Sequence, residues 1–298
     1  MGTPDFSVPS LDLLVKNGWN VVAVITAPDK PQGRGKKLGI SPVKEAALKY
    51  QIPVLQPGNL KSPEFIEELK GYQADVQVVV AFRMLPEAVW AMPPKGTFNL
   101  HASLLPDYRG AAPINWAIIL GEKETGVTTF FLKYEIDTGS IIFQEKEPIL
   151  SADNMGTMYE KLKLKGAKLV LKTIEAIAIG DPEVKKQDET IALHKAPKIF
   201  KETGEIKWQD SAENIHNLIR GLSPYPAAWA KIKNKTCKIF GSAVIQGNLV
   251  GKNPGEYETD GKTYLYFQTG KNMVSILDLQ MEGKKRMPID AFLRGNVV

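Results

Sequence analysis

The sequence predicts an α/β chain of two domains: a doubly wound, mostly parallel sheet domain followed by a smaller β-barrel or sandwich. Three observations carry this. The chain has 298 residues, and roughly 100–200 residues make a domain. Its first two-thirds alternate short β-branched runs with helix-like segments, the pattern of βαβ units with right-handed crossovers. From residue 205 the texture changes to short strand-like runs separated by Gly and Asn turns, which suits a small barrel or sandwich.

The elements follow in order. Val21–Ile25, Asp75–Phe82, Thr97–His101, Val127–Leu132 and Ser140–Gln144 are apolar runs of the length expected for strands buried on both faces. Ser41-Pro42 and Ser62-Pro63 each open a helical pattern, with Ser as the cap and Pro at the first helical position. A long helix is expected from about Thr157 to Ile179, with Gly180-Asp181-Pro182 as its stop. Residues 181–204 are charged and aperiodic and read as a linker between domains 1–180 and 205–298. The last domain should hold a helix over Ser211–Arg220 and strands at Trp229–Ile232, Cys237–Ile245, Thr263–Gln268 and Met273–Leu279. A doubly wound sheet normally opens on a central strand, yet the chain begins at the Gly2-Thr3-Pro4 turn. The expectation is a natural start upstream of Met1, or a Met1 that is trimmed or misassigned.

Composition excludes several classes. The chain is 43% hydrophobic and 24% charged, a globular balance rather than a disordered or fibrous one. No apolar run approaches the ~20 residues of a membrane helix, and no signal peptide is visible, so a cytoplasmic protein without a membrane partner is expected. Cys237 is the single cysteine, and only three histidines are present, so neither an internal disulfide nor a metal site is expected. Gly-x-Gly-x-x-Gly, the Walker A pattern and Gly-x-Ser-x-Gly are all missing. The net charge is +5, and 205–298 holds 13 basic against 9 acidic residues. That excess permits an anionic partner without requiring one.

Three segments could carry chemistry. Asn99 and His101 stand two apart at the end of a strand, on one face and at the carboxyl edge where α/β sheets bind ligands. An amide can donate to a developing oxyanion, and an imidazole can take or stabilise a proton. Asp137, in Glu135–Ser140, could orient His101 and favour its imidazolium form. The loop Ala27–Leu38 gathers Lys30, Arg34, Lys36 and Lys37 into a cationic finger suited to phosphates. Taken singly, each segment is more often an ordinary turn or a solvated charge run.

Together these residues resemble the methionyl-tRNA formyltransferases. The likeness spans Gly2–Phe6, Gly33–Lys37, Val79–Phe82, Phe98–Pro113, Asp137–Gly139, Ala196–Ile199, Ile219–Ala227, Gly283–Arg286 and Asp290–Gly295. The resemblance implies formyl transfer from 10-formyltetrahydrofolate, a folate co-substrate, to the α-amino group of methionyl initiator tRNA. It implies a Rossmann-like catalytic domain and a carboxyl-terminal OB-like, tRNA-binding barrel. It places the catalytic triad on Asn99, His101 and Asp137. Folate contacts would fall on Ser103, Leu104, Leu105 and Pro106, and on Ala81, Phe82, Arg83 and Leu85. Arg83 departs from the small residue expected there. The basic loop becomes the tRNA-contacting insertion, with Arg34 leading, and a monomer is expected.

Rival readings keep the triad but not the rest. Glycinamide ribonucleotide formyltransferases resemble only the first domain. Sugar-nucleotide formyltransferases and formyltetrahydrofolate hydrolases leave the basic loop unexplained. A catalytically silent RNA-binding protein leaves Asn99, His101 and Asp137 unexplained.

Overall fold

The computed structural model describes residues 1–32, 37–135, 137–180, 182–191 and 194–295. Its strands are β1 (Val24–Ile25), β2 (Lys30–Gln32), β3 (Lys37–Gly39), β4 (Val54–Leu55), β5 (Gln77–Val80), β6 (Thr97–His101), β7 (Arg109–Gly110), β8 (Glu124–Phe131), β9 (Ile141–Pro148), β10 (Lys195–Ala196), β11 (Ala228–Ile232), β12 (Lys235–Ile245), β13 (Tyr257–Thr259), β14 (Leu265–Gln268), β15 (Met273–Met281) and β16 (Met287–Pro288). Its helices are α1 (Val8–Lys16), α2 (Pro42–Lys49), α3 (Pro63–Gly71), α4 (Glu87–Trp90), α5 (Pro113–Ile119), α6 (Met155–Ile179), α7 (Ala212–Leu222) and α8 (Ile289–Gly295). Two compact units share the chain. One takes Met1–Gly110, Thr125–Glu147 and Tyr159–Lys195; the other takes Ala111–Glu124, Pro148–Met158 and Ala196–Val298.

The first unit is built on a Rossmann-like sheet. β4 pairs parallel with β1, and β5 pairs parallel with β6. The place between β1 and β5 is taken by Met1-Gly2: the Gly2 N–H donates to Ile25 O at 3.0 Å, and the Val80 N–H donates to Met1 O at 2.9 Å. β8 then joins β6 antiparallel, and β9 completes the row. Period-two alternation splits the apolar residues of β1 between two faces. Val24 packs with Leu11 of α1 and with Val43 and Ala47 of α2. Ile25 packs with Phe65 and Leu69 of α3 and Val89 of α4. Helices therefore cover both faces, as a doubly wound fold requires. The caps act as the sequence predicts: Ser41 Oγ accepts from Lys44 N at 3.1 Å and Ser62 Oγ from Phe65 N at 3.3 Å, each cap contributing ~1 kcal/mol. α6 lies so close to β6 that a Cβ on Gly166 would come within 2.6 Å of the Leu100 side chain.

The second unit holds an antiparallel sheet in the order β11-β12-β15-β14-β13, with β16 on β15. α7 turns Ala212, Ile215, Ile219 and Leu222 into the core beside Ile239, Phe267 and Ile276. α5 belongs here because Asn115 Nδ2 donates to Gly221 O at 2.8 Å, and Gly221 leaves no room for a Cβ beside Ile119. The expected antiparallel sheet forms, and no closed barrel is found among the described residues. Among the described residues the pairing runs as an open path with β11 and β13 at its ends. Short strands and turn signals specify which neighbours pair, and they do not specify whether the two edges meet.

Candidate active site

β6 delivers the first two residues. Phe98 and Leu100 point into the core, fully or nearly fully buried, so Asn99 and His101 share the opposite face. Asn99 is partly exposed, and its side-chain amide has no protein hydrogen-bond partner among the described residues. An amide left open in this way can serve a ligand. The His101 ring is buried, with Nε2 2.9 Å from the Tyr108 carbonyl oxygen. A carbonyl only accepts, so Nε2 carries a proton and donates it there. Nδ1 faces Asp137 Oδ2 at 3.9 Å. The same Asp137 oxygen accepts the Gly110 N–H at 3.1 Å. In the neutral ring Nδ1 and the carboxylate are both acceptors, so a proton entering at Nδ1 finds a ready partner. The structure thus brings His101 of β6 and Asp137 of the turn between β8 and β9 together, with Asn99 on the same face of β6 as His101.

The loop after β6 is fixed from below. Ser103 Oγ donates to Asp107 O at 2.7 Å. Thr128 Oγ1 donates to Ser103 O at 2.7 Å and accepts from Leu105 N at 3.2 Å. Gln144 Nε2 donates to Leu105 O at 2.8 Å. Ser103 and Leu105 are buried, whereas Leu104 is half-buried. The second expected folate loop leaves β5 next door, since Val80 pairs with Leu100. Ala81 there has φ 48°, a left-handed conformation uncommon outside Gly. Phe82 is half-buried and Leu85 buried. Arg83 is turned outward, its guanidinium over the Phe82 ring at 5.6 Å and donating to Gly58 O at 3.0 Å and to Pro57 O.

The basic loop is reached only at its root. Lys30 is exposed at the start of β2, which pairs antiparallel with β3. Arg34 and Lys36 lie outside the described residues, and Lys37 is placed only as the first backbone position of β3. The root is anchored by a polar cluster: Lys44 Nζ pairs with Asp29, and Gln56 bridges Lys44, Asp29 and the Ala27 carbonyl. Hydrogen bonds from Lys44 and Gln56 hold the Asp29 carboxyl below the usual carboxylate range.

Sequence reasoning missed the Tyr108 carbonyl, Thr128, Gln144 and Gln187. Thr128 and Gln144 interrupt otherwise apolar strands, and that interruption was the available signal. Gln187 sits in an aperiodic charged segment with no signal at all.

The formyl transferase family matches residues 1–174, and the formyl transferase C-terminal domain family matches 198–297. A curated methionyl-tRNA formyltransferase of Bacteroides fragilis is 51% identical over 99% of this chain and 93% of its own length. The chain belongs to the methionyl-tRNA formyltransferase family. It is a formyl-transferring enzyme. A second curated relative, the methionyl-tRNA formyltransferase of Azobacteroides pseudotrichonymphae, is 52% identical over 99% of this chain and 94% of its own. Among solved structures, the N-formyltransferase of Helicobacter canadensis, in complex with folinic acid and dTDP-3-aminofucose, superposes with a TM-score of 0.68. It is 23% identical, covering 96% of this chain and 97% of that one. HypX of Aquifex aeolicus, in complex with tetrahydrofolic acid, gives a TM-score of 0.61 at 21% identity, covering 83% of this chain and 43% of that one. At such identities the structural likeness establishes the fold. Among the described residues no group of three His, Cys, Asp or Glu side chains could hold a metal, and no helix is long and apolar enough to cross a membrane.

Proposed function

We propose that the chain transfers the formyl group of 10-formyltetrahydrofolate to the α-amino group of methionyl initiator tRNA. One observation carries the reading. The open Asn99 amide and the His101–Asp137 pair stand together at the carboxyl end of β6, in a chain 51% identical to a curated methionyl-tRNA formyltransferase over nearly all its length. Ser103–Pro106 and Ala81–Leu85 would hold the donor. They suit a flat heterocycle with an exposed tail: Leu85 and Leu105 are buried and apolar behind the two loops, while Ala81 and Met84 are exposed. 10-Formyltetrahydrofolate supplies a formyl carbon open to attack by an amine.

The chain's own residues do the rest. The Asn99 Nδ2–H donates to the formyl oxygen as negative charge gathers there, the role of an oxyanion donor. His101 keeps its Nε2 proton, hydrogen-bonded to the Tyr108 carbonyl, and receives the amine proton at Nδ1. Asp137 then faces the imidazolium. As the bond from the formyl carbon to N10 of the donor breaks, that proton is handed to N10 and tetrahydrofolate leaves. An ordinary α-amino group has a pKa of ~7.7–8.0, so part of the acceptor is already neutral near pH 7 and no strong base is needed.

Lys30, Arg34, Lys36 and Lys37 are read as tRNA contacts. Residues 1–180 form the catalytic domain, 181–204 the linker and 205–298 the tRNA-binding domain in this reading. The antiparallel unit is read as OB-like, a fold that is itself a partly open five-stranded barrel. A cytoplasmic monomer completes the proposal. The test is acceptor choice with 10-formyltetrahydrofolate as donor: methionyl initiator tRNA, methionyl elongator tRNA and a UDP-amino sugar are compared. Selective formylation of the first is expected. Transfer to the sugar alone would keep the triad and overturn the acceptor.

A further inference from the structure

We infer that Gln187 is a positioning residue, whose buried amide holds Asp137 where His101 can use it. The inference rests on the reading of Asp137 as catalytic. Gln187 is 5% exposed. Its Nε2 donates to Asp137 O and to Gly139 O, both at 2.8 Å, so one amide spans the turn. Its Oε1 accepts from Arg109 Nε at 3.1 Å and from Arg109 Nη2. Carbonyls only accept and a guanidinium only donates, so this amide can sit one way round.

Asp137 needs such a hold. Its φ is 56°, a conformation that persists in a non-Gly residue only where the surroundings over-determine it. The turn is also pressed onto β8, since a Cβ on Gly139 would overlap the Phe131 carbonyl oxygen. Gln187 is placed in turn by its own backbone neighbour: Lys185 and Ile141 exchange two hydrogen bonds of 2.8 Å each. Through Arg109 the same amide reaches the strand between Tyr108 and Gly110. The Tyr108 carbonyl accepts a hydrogen bond from His101 Nε2–H, and the Gly110 N–H donates to the Asp137 carboxylate. One side chain therefore ties together the backbones that set both ends of the His101–Asp137 pair.

Gln187→Glu keeps the shape and removes both amide donors; Gln187→Leu removes all polar contacts. With methionyl initiator tRNA as acceptor, Gln187→Glu should lower kcat roughly 10–100-fold, the scale of a displaced catalytic group. The KM values for donor and tRNA should stay within about twofold. In an Asp137→Ala background, Gln187→Glu should cost nothing further, because its effect passes through Asp137. Wild-type kcat in Gln187→Glu, a loss confined to KM, or an undiminished loss in the Asp137→Ala background would each overturn the inference. Gln187→Leu should reproduce the kcat loss; where it fails to fold, the near-isosteric Gln187→Glu still decides. Wild-type activity of Asp137→Ala alone would remove the catalytic reading itself and the inference with it. An inactive Asp137→Ala beside a fully active Gln187→Glu would remove only the inference.

Discussion

Asp137 and His101 stand close enough for the turn that carries Asp137 to serve the catalytic role proposed for the pair. At 3.9 Å the Nδ1–Oδ2 separation is too long for a direct hydrogen bond. A proton delivered to Nδ1 would face the Asp137 carboxylate. Asn99 shows the complementary state, a donor held on a rigid strand without a partner among the described residues. Removing such a preorganised donor typically lowers the rate ~10²–10³-fold, because no reorganisation replaces it. Asn99→Ala, His101→Ala and Asp137→Ala should each reduce kcat for formyl transfer on that scale, with smaller changes in KM. Steady-state kinetics with methionyl initiator tRNA checks this, and near-wild-type turnover in Asn99→Ala would remove its assigned role.

Elements decide where those residues stand, and α7 shows that they also set how the fold responds to pH. His216 lies on α7, its Nδ1 3.0 Å from Ser242 Oγ on β12. Burial, and then the Arg220 cation one turn on, push its pKa below the ordinary histidine value. The unfolded chain therefore binds a proton near pH 6.5, where the folded chain does not yet bind one. The stabilisation is complete above that value and is lost as the pH falls through the lower folded value. The urea midpoint should drop on acidification from about pH 7.5 to 5.5, and His216→Gln should flatten that slope. An unaltered slope would mean that other groups set it. Much at this scale was legible in advance. Thr97–His101 coincides with β6, and Ser41 and Ser62 cap α2 and α3, because short strand-length apolar runs and Ser-Pro caps are local signals. α5 and the Gln187 clamp were not legible. α5 is short and finds its place only by packing on α7, and Gln187 acts through backbone carbonyls far away in sequence. Long-range satisfaction of polar groups leaves no periodic trace.

At the scale of the whole molecule, charge is the property that a polyanionic acceptor would feel first. The net charge of +5 is modest, so affinity for tRNA cannot come from a uniform field and must rest on local contacts. The antiparallel pair β2 and β3, beside the cluster of Asp29, Lys44 and Gln56, carries exposed Lys30, where the proposal seeks one such contact. A phosphate contact has a signature that a solvated charge lacks. Each neutralised phosphate releases counterions and steepens the dependence of affinity on salt by roughly one unit of log–log slope. Arg34→Ala should therefore raise KM for tRNA at low salt, leave donor binding unchanged, and reduce the salt slope by about one. Titrating KM against KCl for wild type and variant measures this directly. A slope unchanged by the substitution would return Arg34 to the class of ordinary solvated charges and leave acceptor recognition to be sought elsewhere, first among the 13 basic residues of 205–298.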